Sequence, residues 1–181
     1  MSEKILLQGI VGSHLHGLNT PQSDVDITIV YVKPTIELFS IYPDKRESWT
    51  ERVGNEERYY TELRHFCHEA LKCNPKALEL LFSNPYVDND FGKLLLQNRD
   101  AFLSQRIKKS YTGILNSLLK RYNIAPTNKL KRNIIYYYLR GGEVYTTGEY
   151  TLQVDSDFWK IFNSITDDEL NNLIQYLDET K

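Results

Sequence analysis

Residues Gly12 to Val30 read GSHLHGLNTPQSDVDITIV. An apolar run, Ile5-Leu6-Leu7 and then Ile10-Val11, stops directly before Gly12-Ser13, which reads as a buried strand handing over to a turn or a short helix. A Pro-containing loop leads to Ser23-Asp24-Val25-Asp26 and a second apolar run, Ile27 to Val32. Carboxylates at i and i+2 on a strand share one face, roughly 6.5–7 Å apart along the backbone. Like charges so placed repel, and each resists losing its water. A divalent cation relieves both costs, because hard cations prefer carboxylate oxygen. Gly12 lets the backbone approach a ligand, and a helix start behind it offers free N–H groups to a phosphate. A phosphate cradle and an Asp pair joined by a short loop point to nucleotide phosphoryl chemistry. The plain structural alternative is strand, Asn/Pro/Ser turn and strand, with Asp24 capping the turn. It leaves Asp26 unexplained inside a strand, where Asp is depleted.

Gly12-Ser13 followed by Ser23-Asp24-Val25-Asp26 resembles the signature of the DNA polymerase beta superfamily of nucleotidyltransferases. The longer string, with Gly17, Leu18, Thr20 and Pro21 between, resembles one branch more closely: the RNA-repair-pathway, polymerase-beta-like proteins of bacteria and phages, G-S-x-x-x-G-L-x-T-P-x-S-D-x-D. Two later segments resemble the same branch. YTELRHFCHEALKCNPKALELL, residues 60–81, has a carboxylate before a short helix and then N-P-x-x-L-E-L-L. KLKRNIIYYYLRGGEVYTTGE, residues 129–149, resembles the second helical region, with Arg140 at the Arg position and Tyr137 where the family more often has His. The residue after Gly-Ser is often Arg in the family and is His14 here.

The resemblance implies transfer of a nucleoside monophosphate from a nucleoside triphosphate to an acceptor hydroxyl, most simply on RNA, with release of pyrophosphate. It implies two Mg²⁺ ions, with Mn²⁺ as a substitute, held by Asp24, Asp26 and Glu62. Glu62 takes the third position by the motif match and by lying on a strand expected beside the Asp pair, since paired strands sit about 4.8 Å apart. Gly12, Ser13, His14 and Ser23 are the expected nucleotide contacts, and Lys131, Arg132 and Arg140 the expected cations that balance phosphate charge. Two other readings remain open from the residues: nucleotide transfer to a protein, as in antitoxin-like relatives, and a nucleotide- or RNA-binding module without turnover.

Composition is that of an ordinary globular chain of 181 residues with net charge −2. The distribution of charge is more informative. Residues 101–140 hold Arg106, Lys108, Lys109, Lys120, Arg121, Lys129, Lys131, Arg132 and Arg140 and no acid, whereas residues 141–181 are strongly acidic. An acid-free block interleaved with Tyr111, Tyr122, Tyr136, Tyr137 and Tyr138 reads as an RNA-facing surface, cations for phosphate and rings for bases. The N-terminus enters a strand-like run without a leader pattern, and no apolar stretch reaches the roughly 18–20 residues of a membrane span. Cys67 and Cys73 alone make no disulfide framework. The expected setting is cytoplasmic, and oligomeric state is not legible. His65, Cys67, His68 and Cys73 do not have zinc spacing.

The expected fold is α/β (α+β): a small mixed β-sheet with flanking helices over residues 1–90, then an all-helical part over 91–181. Strands are expected at 4–11, 25–32 and 57–63, helices at 64–72 and from Pro75 with Asn74 as N-cap. Ile36 to Tyr42 reads as an edge strand or a helical turn. Asp44 to Glu57 reads as a mobile polar loop, solvated or acting as a lid. Long helices are expected at 101–122 and 129–139, the second stopped by Gly141-Gly142. A hairpin is expected at 143–152, a helix at 158–165, and a last helix behind a capping box at Thr166–Glu169. Glu79 reads as structural.

Overall fold

Strand β1 (Lys4–Val11) and strand β2 (Val25–Val32) are the two apolar runs that flank the Gly-Ser turn, and they pair antiparallel. The structure, a computed structural model, describes residues 4–39, 41 and 46–179. Within it β2 pairs in parallel with β4 (Glu56–Glu62), and β3 (Ser48–Val53) closes the other edge antiparallel to β4. The order is β1-β2-β4-β3, a mixed four-stranded sheet.

Strand β3 replaces most of the expected loop at 44–57, of which residues 44 and 45 lie outside the described residues. Its side chains are largely exposed, as an edge strand allows, so burial leaves no apolar signal there. Trp49 instead stacks on Tyr60 of β4, ring centroids 4.7 Å apart. The Ile36–Tyr42 segment contains a helical turn, α2 (Thr35–Leu38), with residues 40 and 42 outside the description.

Helix α3 (Leu63–Leu71) follows β4 at once, and α4 (Pro75–Phe82) starts as expected, with the Asn74 side chain accepting the Lys76 N–H at 3.0 Å. Their apolar faces meet the sheet: Leu7, Val11 and Val30 pack with Phe66, Ala70, Leu78, Leu80 and Leu81. The same core takes Ile107, Tyr111 and Val144 from the later helices, so the sheet and the helical part share buried surface.

After α5 (Asp90–Gln97), the expected helix at 101–122 is divided: a 3₁₀ turn covers Arg99–Phe102 and α6 runs over Arg106–Ile124. Ala125-Pro126-Thr127 breaks the chain, and α7 runs over Asn128–Thr147, passing straight through Gly141-Gly142. Gly141 is a packing residue: a Cβ there would lie 2.9 Å from the Tyr111 ring, so the missing side chain lets α6 and α7 approach. The helix ends instead at Gly148, in the left-handed conformation, and the expected hairpin at 143–152 does not form. Helices α8 (Ser156–Ser164) and α9 (Asp167–Glu179) complete the chain. The capping box is present, Thr166 N–H to Glu169 and Glu169 N–H to Thr166. A second core joins Leu115, Leu119, Ile134, Ile135, Phe158 and Leu170, and Leu18 from the loop after α1 (Ser13–His16) plugs into it.

Candidate active site

The site forms where β1 ends and β2 begins. Val11 pairs with Asp26, which places Gly12 against the Asp26 side chain. Gly12 has φ 68° and ψ −147°, a backbone region that only glycine occupies readily. A Cβ on it would sit 2.6 Å from Asp26 Oδ2. On the other side of β2, Asp26 pairs with Glu57 of β4. Burial holds the Asp26 carboxyl above the ordinary carboxylate range; Lys76 counteracts this, while Glu57 adds to it. Among the described residues the Asp26 carboxylate has no hydrogen bond or ion pair. Asp24 differs: Arg52 Nη2 lies 2.8 Å from its Oδ2 and 3.5 Å from Glu57 Oε2, a guanidinium bridging two carboxylates.

The expected third carboxylate is corrected by this register. Glu62 pairs with Tyr31, five positions beyond the Asp26–Glu57 pair, and an odd offset puts it on the opposite face of β4 from Glu57. Its carboxylate accepts the Arg64 N–H at 2.7 Å and caps α3. Glu57, next to Asp26 and on the face of Tyr59 and Thr61, takes the place expected for Glu62. Parity alone separates Glu57 from Glu62, and the parallel register with β2 decides between them.

A cleft of about 1090 Å³ opens above these groups. Gly12, Ser13, Ser23, Asp24, Asp26 and Glu57 line it. So do Lys76, from the first turn of α4 and near enough to act on the Asp26 carboxyl, and Arg121, Lys129 and Arg132, from the α6–α7 junction. Of the three expected cations only Arg132 belongs here, and it donates to Leu18 O at 3.2 Å. Lys131 turns away to donate to Ile165 O at 2.9 Å and lies over the Phe162 ring. Arg140 is buried, paired with Glu143 and close to the Tyr136 ring. His14 bonds across the loop to Ser23 O at 3.4 Å, and the Ser23 hydroxyl accepts the Thr20 N–H at 2.9 Å. Both therefore brace the loop.

The tyrosines expected to stack on bases face inward. Tyr111 bonds Tyr150 at 2.8 Å, Tyr122 donates to Asp167 at 2.8 Å, and Tyr136 donates to Leu152 O at 3.1 Å. Burial pushes the Tyr111, Tyr136 and Tyr137 hydroxyls far above their ordinary pKa. Lys76, Arg52 and Glu79 are site residues that sequence reasoning missed. Glu79 accepts the Gly12 N–H at 3.1 Å.

Among the described residues no three acidic, His or Cys side chains are drawn together as a ready metal cage. The donor chemistry nonetheless fits a hard divalent cation: the Asp26 carboxylate is half-buried with no ion pair of its own, and it stands beside Asp24 and Glu57, which already share a cationic group. Both cysteines are free thiols. No helix among the described residues is long and apolar enough to cross a membrane.

Residues 2–175 match the RNA repair pathway DNA polymerase beta family. The chain belongs to that family. The match spans the Gly12-Ser13 turn and the Asp24, Asp26 pair. A relative in Enterobacteria phage T4, an uncharacterised 38.9 kDa protein of the nrdC-mobD intergenic region, is 26% identical over 135 residues, 67% of this chain. The match spans 39% of that phage protein's length. A solved nucleotidyltransferase-like protein from Exiguobacterium sibiricum 255-15 aligns over 97% of this chain and 67% of its own, with a TM-score of 0.38 and 12% identity.

Proposed function

We propose that this chain transfers a nucleoside monophosphate from a nucleoside triphosphate to a hydroxyl of RNA, releasing pyrophosphate. The observation that carries the reading is the meeting of Gly12-Ser13 with Asp24, Asp26 and Glu57 in a cleft that Lys76, Arg121, Lys129 and Arg132 also line. Membership of a polymerase-beta-like family supports it.

The first amides of α1 have no intrahelical acceptor and are free to receive phosphate oxygens. Asp24, Asp26 and Glu57 would hold the Mg²⁺ ions, with Mn²⁺ as a substitute, whose chemistry is to acidify the acceptor hydroxyl and neutralise the phosphates. Lys76 and Arg132, which line the same cleft, offset the remaining phosphate charge. In the reaction the acceptor oxygen bonds to the α-phosphorus as the bond to the bridging oxygen breaks. The hydroxyl proton passes to solvent.

Lys129 and Arg121 favour a polyanionic acceptor. Both are exposed and line the cleft, and neither forms an ion pair among the described residues; Lys129 acts on Asp26 only at longer range. The test is label transfer: α-labelled ATP, GTP, CTP and UTP given separately with Mg²⁺ and an RNA pool or cell extract, beside the Asp24→Asn/Asp26→Asn double variant. The expected product is label incorporated by the wild type alone and removed by nuclease. Label removed by protease instead would move the acceptor to protein, and nucleotide binding without transfer would leave a non-catalytic module.

A further inference from the structure

Glu79 is a carboxylate only 1% exposed, lying within the leucine run of α4 and outside the trio that faces the cation site. Packing alone would favour an apolar residue there, since a buried carboxylate is costly unless it is bonded. Its bonds lead to the phosphate turn. Oε2 accepts the Gly12 N–H at 3.1 Å. Oε1 accepts the Tyr137 hydroxyl at 3.4 Å and lies 3.2 Å from His16 Nε2. His16 is itself buried, its ring stacked on Tyr136 with centroids 3.8 Å apart. Its Nε2 lies off the line of a hydrogen bond to Glu79 and has no other partner among the described residues. The contact is therefore one of close packing.

Gly12 is the residue most in need of an anchor. Its φ of 68° and ψ of −147° belong to a sparsely populated region, which persists only when the surroundings over-determine it. No side chain caps α1 locally. We infer that Glu79 is a positioning residue: it holds the Gly12–Ser13 turn in the conformation that receives the triphosphate, and Tyr137 and His16 hold Glu79. With the Gly12 N–H taken by Glu79 and the His16 N–H by Gly12 O, the amides of Ser13, His14 and Leu15 are left for phosphate. This inference rests on the nucleotide reading of the cleft, and it concerns a residue that touches no reacting atom.

The test is equilibrium binding of a fluorescent N-methylanthraniloyl ATP with Mg²⁺ to the wild-type chain, Glu79→Gln, Glu79→Asp and Glu79→Leu, each checked for native circular dichroism. The Gln amide still offers an oxygen to Gly12, so Glu79→Gln binds within about twofold of wild type. The Asp carboxylate keeps the charge but is too short to reach, so Glu79→Asp and Glu79→Leu bind at least about tenfold more weakly. If the Leu variant does not fold, the Asp and Gln variants decide. Binding by Glu79→Asp equal to wild type overturns the inference, as does a Gln variant as weak as the Asp variant. A wild type that binds no nucleotide overturns the nucleotide reading beneath it, a result distinct from wild-type binding that is indifferent to residue 79.

Discussion

A β-carbon on Gly12 would lie 2.6 Å from Asp26 Oδ2, inside van der Waals contact. The Gly12-Ser13 turn and the half-buried Asp26 carboxylate are thus fitted against each other across the β1–β2 pair. Gly12→Ala must displace the Asp26 carboxyl and also adopt a positive φ, at a backbone cost of about 1–2 kcal/mol. The variant is expected to fold, with a lower urea midpoint, and to lose at least about a hundredfold in kcat/KM for nucleotide transfer. Transfer at the wild-type rate would show that the turn does not need to approach Asp26.

Asp26 makes stability depend on pH in a defined direction. Its folded pKa lies above the unfolded value of about 3.9 because burial disfavours the carboxylate. The native state then holds the proton more tightly than the unfolded chain. The cost of the charge is absent below the unfolded pKa, grows as pH rises through the folded pKa, and is complete above it. In EDTA, Asp26→Asn should therefore melt above wild type at pH 7, with the difference closing as pH falls toward 4. Differential scanning fluorimetry across that range checks this, and an Asn variant less stable at pH 7 would contradict it.

Arg52 bridges Asp24 and Glu57 from an exposed edge strand. It competes with any cation for both carboxylates. Exposed ion pairs contribute about 0.2–1 kcal/mol, so Arg52→Ala should tighten Mn²⁺ binding in the absence of nucleotide by about two- to fivefold. Isothermal titration calorimetry reads this directly. Weaker Mn²⁺ binding would mean that the guanidinium organises the carboxylates instead of competing for them.

The inward tyrosines and the cleft cations should separate in RNA binding. Tyr111→Phe loses the Tyr150 bond and about 1 kcal/mol of stability, and leaves RNA affinity unchanged. Arg121→Glu and Lys129→Glu should weaken single-stranded RNA uniformly over sequence. Removing one cation that neutralises a phosphate should lower the salt slope by about 0.7. Filter binding at several salt concentrations tests both.

Much of this site was legible because its signals are local. Gly12-Ser13 and Asp24, Asp26 announce themselves through residue type and spacing, and β1, β2, the Asn74 cap and the Thr166 box follow from patterns within a few residues. What failed depended on partners distant in sequence. Glu57 and Glu62 lie near opposite ends of the same strand, and only the parallel register with β2 says which one meets Asp26. Lys131 and Arg132 are neighbours on α7, yet one meets Ile165 and the other Leu18, a difference set by packing of α7 between the acidic helices and the loop. Gly141-Gly142 reads as a helix stop until the Tyr111 ring is seen to need the space. Strand β3 was hidden because an exposed edge strand carries little apolar alternation.

The most direct test of the account is the rate of α-labelled nucleotide transfer by Glu57→Ala beside Glu62→Ala. Glu57 stands beside Asp26, and Glu62 caps α3. Glu62→Ala is expected to lose about 1 kcal/mol of stability and to keep transfer near the wild-type rate. Glu57→Ala is expected to keep its fold and lose at least about a hundredfold in kcat. An active Glu57→Ala beside an inactive, folded Glu62→Ala would contradict the site described.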